Sequence, residues 1–313
     1  MLYRKLGRTG LDVSLLGLGT GGARQMGKWQ DHPVHRQHEL VHRCLELGIN
    51  LFDTAEAYED TEATLGAALN GVDRRSYILV TKWSYFRDEV FSDVGTMRAA
   101  AETSLRRLRT DYIDVLLFHG LLPQHYDRIV NEYLPEMCRL RDEGLAHHLG
   151  FSERFPKDPG HRAVTLGLTQ HPDLWDVVGV KYGILNQLAV HEALPLALQH
   201  DVGVVNMAAV RERLPDPAFL ERTIAGWKES GYLAPDSLPD VDPLGWLVHG
   251  DVESVVAAGY KFAAAHPAVA TVLTGTATIG HLDSNAAALE HPWLPTDDSR
   301  RQADLFGQVK EYA

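Results

Sequence analysis

Short apolar runs rich in valine, isoleucine and leucine recur along the chain, each followed by a turn and then by apolar residues at helical spacing. Such runs are typical of strands buried on both faces of a parallel sheet and joined by helices. Several of the helical stretches end at a glycine, where a left-handed cap is favoured. The pattern predicts helices that include residues 34–47, 61–70, 96–107, 126–143 and 252–266, and eight strands at 13–17, 50–53, 77–82, 113–119, 147–151, 177–182, 202–207 and 270–275.

Eight strand-helix units favour an α/β fold of the (β/α)8 TIM-barrel type over an open doubly wound sheet, and no GxGxxG follows the first strand. Ahead of that strand, residues 2–6 and 11–14 predict a β-hairpin that plugs one barrel mouth. Residues 208–250, after the seventh strand, predict a long proline-containing insert over the top of the barrel. No linker-like tract divides the chain, so we expect one domain over residues 1–313.

The amino-acid composition indicates a folded globular protein and argues against several classes of binding partner. The 313 residues are 45% hydrophobic and 23% charged, as in folded globular proteins. A net charge of −12 argues against nucleic-acid or anionic-membrane partners, and no apolar run is long enough to span a bilayer. Only Cys44 and Cys138 are present, and the N-terminus lacks the apolar stretch of a signal peptide. We therefore expect a cytoplasmic protein with a small-molecule substrate.

Candidate catalytic side chains stand at the ends of predicted strands, where barrel enzymes place their chemistry. Asp53, Lys82 and His119 each close an apolar run, and Tyr58 follows Asp53 by five residues. Taken singly, Asp53 fits a turn or cap residue and Tyr58 fits packing. Lys82 and His119 are harder to explain by packing, and the four together indicate a site. The remaining histidines, including His161, show no shared spacing with carboxylates, so we predict capping or surface roles for them and no metal site.

The segments FDTAEAYEDTEATLGAAL, VTKW, SLRRLRTDYIDVLLFHG and LGFSERF resemble the aldo-keto reductase superfamily, over nearly the whole chain. The resemblance implies carbonyl–alcohol interconversion by hydride transfer with NADP or NAD. It also implies that Tyr58 is the proton donor. A phenol with a pKa near 10 needs a cation to stabilise its phenolate, which Lys82 supplies while Asp53 keeps the ammonium charged. His119 then hydrogen-bonds the substrate oxygen.

The resemblance also implies a set of cofactor contacts, some of which depart from the usual pattern. Glu153 stands where an Asn is usual, Gly179 replaces a Gln, Met207 replaces an aromatic residue, and His281 replaces an Arg or Gln. The segment from Gly275 to Asn285 contains no Lys or Arg, which predicts loose discrimination between NADPH and NADH; Arg211 and Arg213 are candidates to reach the pyrophosphate. The predicted cofactor residues are Gly19, Thr20, Ser152, Glu153, Gly179, Met207, Gly275, Thr276, His281 and Asn285.

Trp83 and Tyr85, just after the catalytic lysine, are predicted to line the substrate pocket. Packing explains equally well the other candidate pocket residues, which are Met26, Trp29, Phe118, Trp227 and Trp246. Two other functions stay open. The four catalytic candidates with Glu153 fit a non-redox enzyme that performs acid-base elimination, isomerisation or hydrolysis on a sugar-like substrate, or the barrel serves as a binding protein without turnover.

Overall fold

A computed structural model of the chain describes residues 1–22, 25–30, 32–155 and 157–310. The strands are β1 (Tyr3–Lys5), β2 (Asp12–Ser14), β3 (Leu16–Gly19), β4 (Leu51–Asp53), β5 (Ile78–Trp83), β6 (Phe86–Arg87), β7 (Val90–Phe91), β8 (Ile113–Leu121), β9 (Ala146–Glu153), β10 (Val177–Lys181), β11 (Gly203–Met207) and β12 (Val269–Thr274). Eight of the strands in this part of the chain form a closed barrel in the order β3-β4-β5-β8-β9-β10-β11-β12, every neighbouring pair being parallel. This confirms the predicted (β/α)8 barrel.

The helices surround the barrel and bury its outer face. Three of the predicted helix-ending glycines, Gly48, Gly71 and Gly144, have φ values of 78°, 86° and 82°, in the left-handed region that favours glycine. The helices are α1 (Val34–Glu46), α2 (Thr61–Ala68), α3 (Met97–Leu108), α4 (Tyr126–Arg128), α5 (Leu134–Asp142), α6 (Arg162–Gln170), α7 (Ala193–Gln199), α8 (Pro217–Glu229), α9 (Val255–Ala265), α10 (Ile279–Ala288) and α11 (Thr296–Phe306).

The helix predicted over 126–143 is interrupted. A π-helical segment, Ile129–Tyr133, joins α4 to α5. Pro135 stands in the first turn of α5 and has no N–H to donate back to the preceding turn, so the regular hydrogen-bond ladder cannot run through it.

The N-terminal hairpin, β1 paired antiparallel with β2, closes the amino end of the barrel as predicted. Leu6 is fully buried with barrel-interior side chains such as Leu51 and Val115. Gly7 has a φ of 50°, and a Cβ there would lie 2.3 Å from the backbone nitrogen of Gly203, so no side chain fits. The opposite, carboxyl end of the barrel is therefore the one left for a site.

The first barrel strand begins later in the chain than the sequence predicts, at Leu16 and not at residue 13. Residues 13–17 straddle the end of β2 and the start of β3, and the chain changes direction between them. Ser14 marks the break, because its hydroxyl donates to the carbonyl of Leu16 at 2.7 Å. The apolar run is continuous across the break, so its pattern contains no signal of it.

The insert after β11 carries α8 and forms a second hydrophobic cluster against the C-terminal helix. Trp227 is buried in this cluster with Leu220 and Phe306, and the Trp227 and Phe306 ring centroids are 6.1 Å apart. Trp246 packs partly against the same cluster, with the guanidinium of Arg301 over its ring. Both tryptophans thus serve packing of the insert. In the described residues, no helix has the length and apolar character needed to cross a membrane.

Candidate active site

Asp53 and Lys82 form a buried ion pair at the carboxyl ends of the neighbouring strands β4 and β5. The Lys82 ammonium donates to both carboxylate oxygens of Asp53, at 2.6 and 2.7 Å, and to the carbonyl of Thr54 at 2.8 Å. Lys82 is 2% exposed and Asp53 5%. Burial alone lowers the pKa of Lys82, but the charges of Asp53 and Tyr58 outweigh burial and hold that pKa above its ordinary value. The ammonium therefore stays charged.

Tyr58 and His119 face each other beside this pair. Tyr58 lies in the loop between β4 and α2, and its hydroxyl is 3.4 Å from Nε2 of His119 on β8. The two rings meet edge to face, with centroids 5.4 Å apart, and the Lys82 Nζ lies 5.5 Å from the centre of the phenol ring. The structure thus brings the four predicted catalytic residues together.

Their protonation states follow from burial and from Lys82. Burial raises the pKa of Tyr58, while the positive charge of Lys82 partly offsets this rise. Burial, followed by the charge of Lys82, lowers the pKa of His119 to about 3. At neutral pH the phenol is therefore protonated and the imidazole is uncharged.

The loop after β3 lies directly against the phenol. A Cβ on Gly21 would lie 2.5 Å from two carbon atoms of the Tyr58 ring, so only glycine permits this approach. The preceding residue, Thr20, donates its backbone N–H to the carbonyl of Asp53 at 2.8 Å. Its buried hydroxyl has no hydrogen-bond partner in the described part of the chain. Gly19 ends β3 just before this loop.

Ser152, Gly179 and Met207 lie close together near the carboxyl ends of β9, β10 and β11. The hydroxyl of Ser152 accepts the backbone N–H of Gly120 at 3.0 Å. A Cβ on Gly179 would lie 2.9 Å from Cβ of Ser152 and 3.4 Å from Cε of Met207. A side chain at position 179 would therefore clash first with Ser152, while Met207 lies at van der Waals distance beside it.

Glu153 forms a buried pair with His161, for which the sequence predicts a capping or surface role. The Glu153 carboxylate lies 2.8 Å from Nδ1 of His161 and accepts the backbone N–H of Lys181 at 2.6 Å. His161 precedes α6 with a φ of 56° and is 4% exposed. Burial by itself lowers the pKa of His161. The charge of Glu153 and its hydrogen bond have the opposite and larger effect, so the pKa of His161 lies above its ordinary value. The carboxylate is engaged with protein groups here, and its contact with a cofactor stays a prediction.

This pair predicts a pH-dependent stability. A histidine whose folded pKa is raised stabilises the fold fully below its unfolded pKa of about 6.5, and this contribution is lost as pH rises through the folded value. Glu153→Gln should therefore lower the free energy of unfolding by roughly 1–3 kcal/mol near pH 6, and by less as pH rises above the raised folded pKa. Urea unfolding between pH 5.5 and 9 measures this difference.

Glu143→Gln is a matched control, because Glu143 pairs with Arg98 and its ion pair contains no group that titrates in this range. A difference between wild type and Glu153→Gln that is the same at all pH values would contradict the prediction.

The residues predicted at the phosphate end of a cofactor lie on the loop after β12 and on α10. Gly275 is exposed, and a Cβ there would meet no atom within 4 Å, whereas the Thr276 hydroxyl accepts the N–H of Thr278 at 3.2 Å. His281 is exposed on α10. Asn285 is turned inward and its amide donates to the hydroxyl of Thr274 at 3.0 Å. The open Gly275 and the exposed start of α10 leave backbone groups accessible to a ligand.

Trp83 and Tyr85, predicted to line the substrate pocket, are buried by packing in this structure. The Trp83 ring contacts Phe118 and Tyr133, with centroid distances of 6.4 and 5.8 Å. Tyr85 is fully buried, and its hydroxyl accepts the N–H of Leu122 at 3.1 Å. Their substrate role stays a prediction that these contacts do not support.

Of the weaker pocket candidates, Phe118 and Met26 are also buried in the main core. The side chain of Trp29 lies outside the described residues.

Comparisons with known proteins find relatives that match nearly the whole chain. The chain is 27% identical to L-galactose dehydrogenase of Arabidopsis thaliana over 91% of this chain and 87% of that one. The holo form of the aldo-keto reductase AKR11C1 from Bacillus halodurans superposes with a TM-score of 0.74 at 25% identity, over 100% of this chain and 97% of that one. An aldo/keto reductase from Klebsiella pneumoniae in complex with NADP and acetate matches with a TM-score of 0.67 at 25% identity, over 98% and 96%.

The sequence profile of the Aldo/keto reductase family matches residues 16–304. This range contains the eight barrel strands and the four residues that meet at their carboxyl ends. The chain therefore belongs to the aldo/keto reductase family and is an oxidoreductase of that type.

Proposed function

We propose that this enzyme interconverts a carbonyl compound and an alcohol by hydride transfer, with NADP or NAD as its cofactor. The observation that carries the proposal is the meeting of a protonated phenol, an uncharged imidazole and a charged lysine at the carboxyl end of the barrel. A proton donor, a hydrogen-bond donor to the substrate oxygen and a cation are what carbonyl reduction requires there.

The residues present fit a dinucleotide. The Thr20 hydroxyl is buried and lacks a partner among the described residues, in the loop that packs against the Tyr58 ring. Gly275 and the start of α10 would hold the phosphate end through backbone amides. When bound, the nicotinamide supplies the hydride for reduction or accepts it in the reverse direction.

The protein's own groups handle the proton. Tyr58 gives its phenolic proton to the carbonyl oxygen as negative charge develops on it, and the Lys82 ammonium stabilises the phenolate that remains. The neutral His119, with its proton on Nε2, donates a hydrogen bond to the same oxygen and orients it. Asp53 keeps Lys82 charged and fixed in place. In alcohol oxidation the phenolate of Tyr58 would accept the hydroxyl proton.

The non-redox alternative would need Glu153 as a catalytic carboxylate. In this structure that carboxylate is buried and engaged by His161 and by the backbone N–H of Lys181. Its placement therefore favours a structural role and gives the non-redox enzyme no support.

Binding and turnover assays test the proposal directly. Titration with NADPH or NADH should change the protein's tryptophan fluorescence. When a panel of aldehydes, ketones and aldoses is assayed, at least one compound should cause oxidation of the reduced cofactor, measured as a fall in absorbance at 340 nm. Failure of both dinucleotides to bind would refute the proposed function.

The same titrations test a prediction about cofactor choice. Each charged hydrogen bond to a 2′-phosphate contributes on the order of 1.5–3 kcal/mol, and the segment from Gly275 to Asn285 contains no Lys or Arg. We expect NADPH to bind less than about tenfold more tightly than NADH at pH 8, which corresponds to under about 1.4 kcal/mol. A hundredfold preference would contradict this, and Arg211→Gln and Arg213→Gln would then show whether either arginine supplies the missing cation.

A further inference from the structure

An arginine lies beside the candidate catalytic histidine. Arg154 is the first residue after β9, and the position next to His119 is Gly120, whose φ is 70°. A Cβ on Gly120 would lie 3.5 Å from Cγ of Arg154 and 3.6 Å from its Cβ and Cδ. The aliphatic part of Arg154 therefore covers the backbone immediately after His119.

A second arginine is tied to the loop that carries Tyr58. Arg87, on the short hairpin formed by β6 and β7, donates to a carboxylate oxygen of Glu56 at 2.7 Å. The same oxygen accepts the backbone N–H of Ser84 at 2.9 Å. Glu56 precedes Tyr58 by two residues, so Arg87 is bonded to the loop that carries the phenol while 52% of its side chain remains exposed.

Arg154 has no ion-pair partner among the described residues. The neighbouring carboxylates have other partners, since Glu56 pairs with Arg87 and Glu89 on the hairpin pairs with Lys157. Both guanidinium charges contribute to the lowered pKa of His119, after burial and Lys82. The site therefore has excess positive charge although the whole chain carries −12.

We propose that Arg154, assisted by Arg87, binds a carboxylate of the substrate, so that the enzyme selects aldehydes or ketones that bear an acid group. This inference rests on the proposed carbonyl–alcohol activity. A guanidinium offers a planar pair of N–H donors that matches a carboxylate, and a bound acid group would supply the ion-pair partner that Arg154 lacks among the described residues. The contact would hold the substrate beside His119, with its carbonyl oxygen facing Tyr58.

The test compares two substrates that differ in charge, 4-oxobutanoate and its methyl ester. The wild-type enzyme should have the higher kcat/KM for the acid. Arg154→Gln should lower the acid-to-ester ratio of kcat/KM by about 10- to 100-fold, the loss expected for a charged hydrogen bond. Arg154→Lys, which keeps the charge but loses the planar fork, should give an intermediate ratio. Dissociation constants for NADPH should be the same in these variants, which separates substrate from cofactor contacts.

Lys157→Gln is the matched control, since it removes a positive charge from the same loop and its ammonium is already paired with Glu89. It should leave the ratio as in wild type. An equal fall of the ratio in Lys157→Gln, no fall in Arg154→Gln, or a wild-type preference for the ester would overturn the inference. The inference would also be overturned if the enzyme reduced glyceraldehyde 3-phosphate and showed no preference for 4-oxobutanoate over its ester. That result would mean that the two arginines bind a phosphate group.

The same assays keep the two proposals apart. Equal reduction of acid and ester overturns only the acid-group selection. Absence of any carbonyl reduction, together with absence of dinucleotide binding, overturns the proposed function and this inference with it.

Discussion

Tyr58→Phe is expected to lower kcat for carbonyl reduction by at least about 10²-fold while the fold stays intact. The substitution deletes the proton donor and nothing else of consequence. Among the described residues, the hydroxyl makes a single long hydrogen-bond contact, 3.4 Å to Nε2 of His119, whereas the ring keeps its edge-to-face packing on His119 and its contact with the backbone of Gly21. We therefore expect little change in the free energy of unfolding.

The control for this experiment is Tyr133→Phe. The Tyr133 hydroxyl donates to the carbonyl of Ser92 at 2.8 Å, outside the candidate site, so its removal should leave kcat near that of wild type. Steady-state rates, cofactor dissociation constants and circular dichroism spectra are measured for both variants. A Tyr58→Phe enzyme within a factor of two of wild type would remove Tyr58 from the mechanism.

The barrel could be predicted from the sequence because its strands are buried on both faces and are separated by helices of amphipathic pattern. The predicted start of the first barrel strand was wrong, because the hydrophobic run continues through residue 15 from the hairpin into the barrel. A change of chain direction inside an apolar run depends on a local hydrogen bond, here from Ser14, and leaves no periodic signal.

Asp53, Lys82 and His119 could be identified because a charged or polar residue that closes an apolar strand stands at the barrel mouth. The pocket role of Trp83 stays a prediction. Successive side chains of a strand point to opposite faces, and the Trp83 ring packs against Tyr133 while Lys82 on the same strand pairs with Asp53.

The partner of Glu153 was missed for a different reason. His161 is eight residues away in the sequence and reaches Glu153 through a loop whose last residue has a positive φ. Neither helical nor strand spacing in the sequence indicates such a contact. The sequence likewise gives no sign that Arg154 lies beside His119, because this position depends on Gly120, which has no side chain to occupy the space.

Lys82→Met should impair both catalysis and stability. Without the ammonium, the phenolate of Tyr58 loses the charge that lowers the pKa of this residue, so Tyr58 becomes a still weaker acid and kcat should fall by at least about 10²-fold. Asp53 would be left as a buried carboxylate without its ion-pair partner, a loss that typically costs about 3–5 kcal/mol.

A second variant separates these two effects. In the double variant Lys82→Met with Asp53→Asn, no buried charge is left unpaired, so much of the lost free energy of unfolding should return. The catalytic loss should remain, because the cation beside Tyr58 is still missing. Urea unfolding and kcat, measured for the wild type, both single variants and the double variant, give the full cycle. If the double variant recovers both kcat and the free energy of unfolding, Lys82 acts only by supporting the fold. If it recovers the free energy of unfolding but not kcat, the role of Lys82 is to increase the acidity of Tyr58.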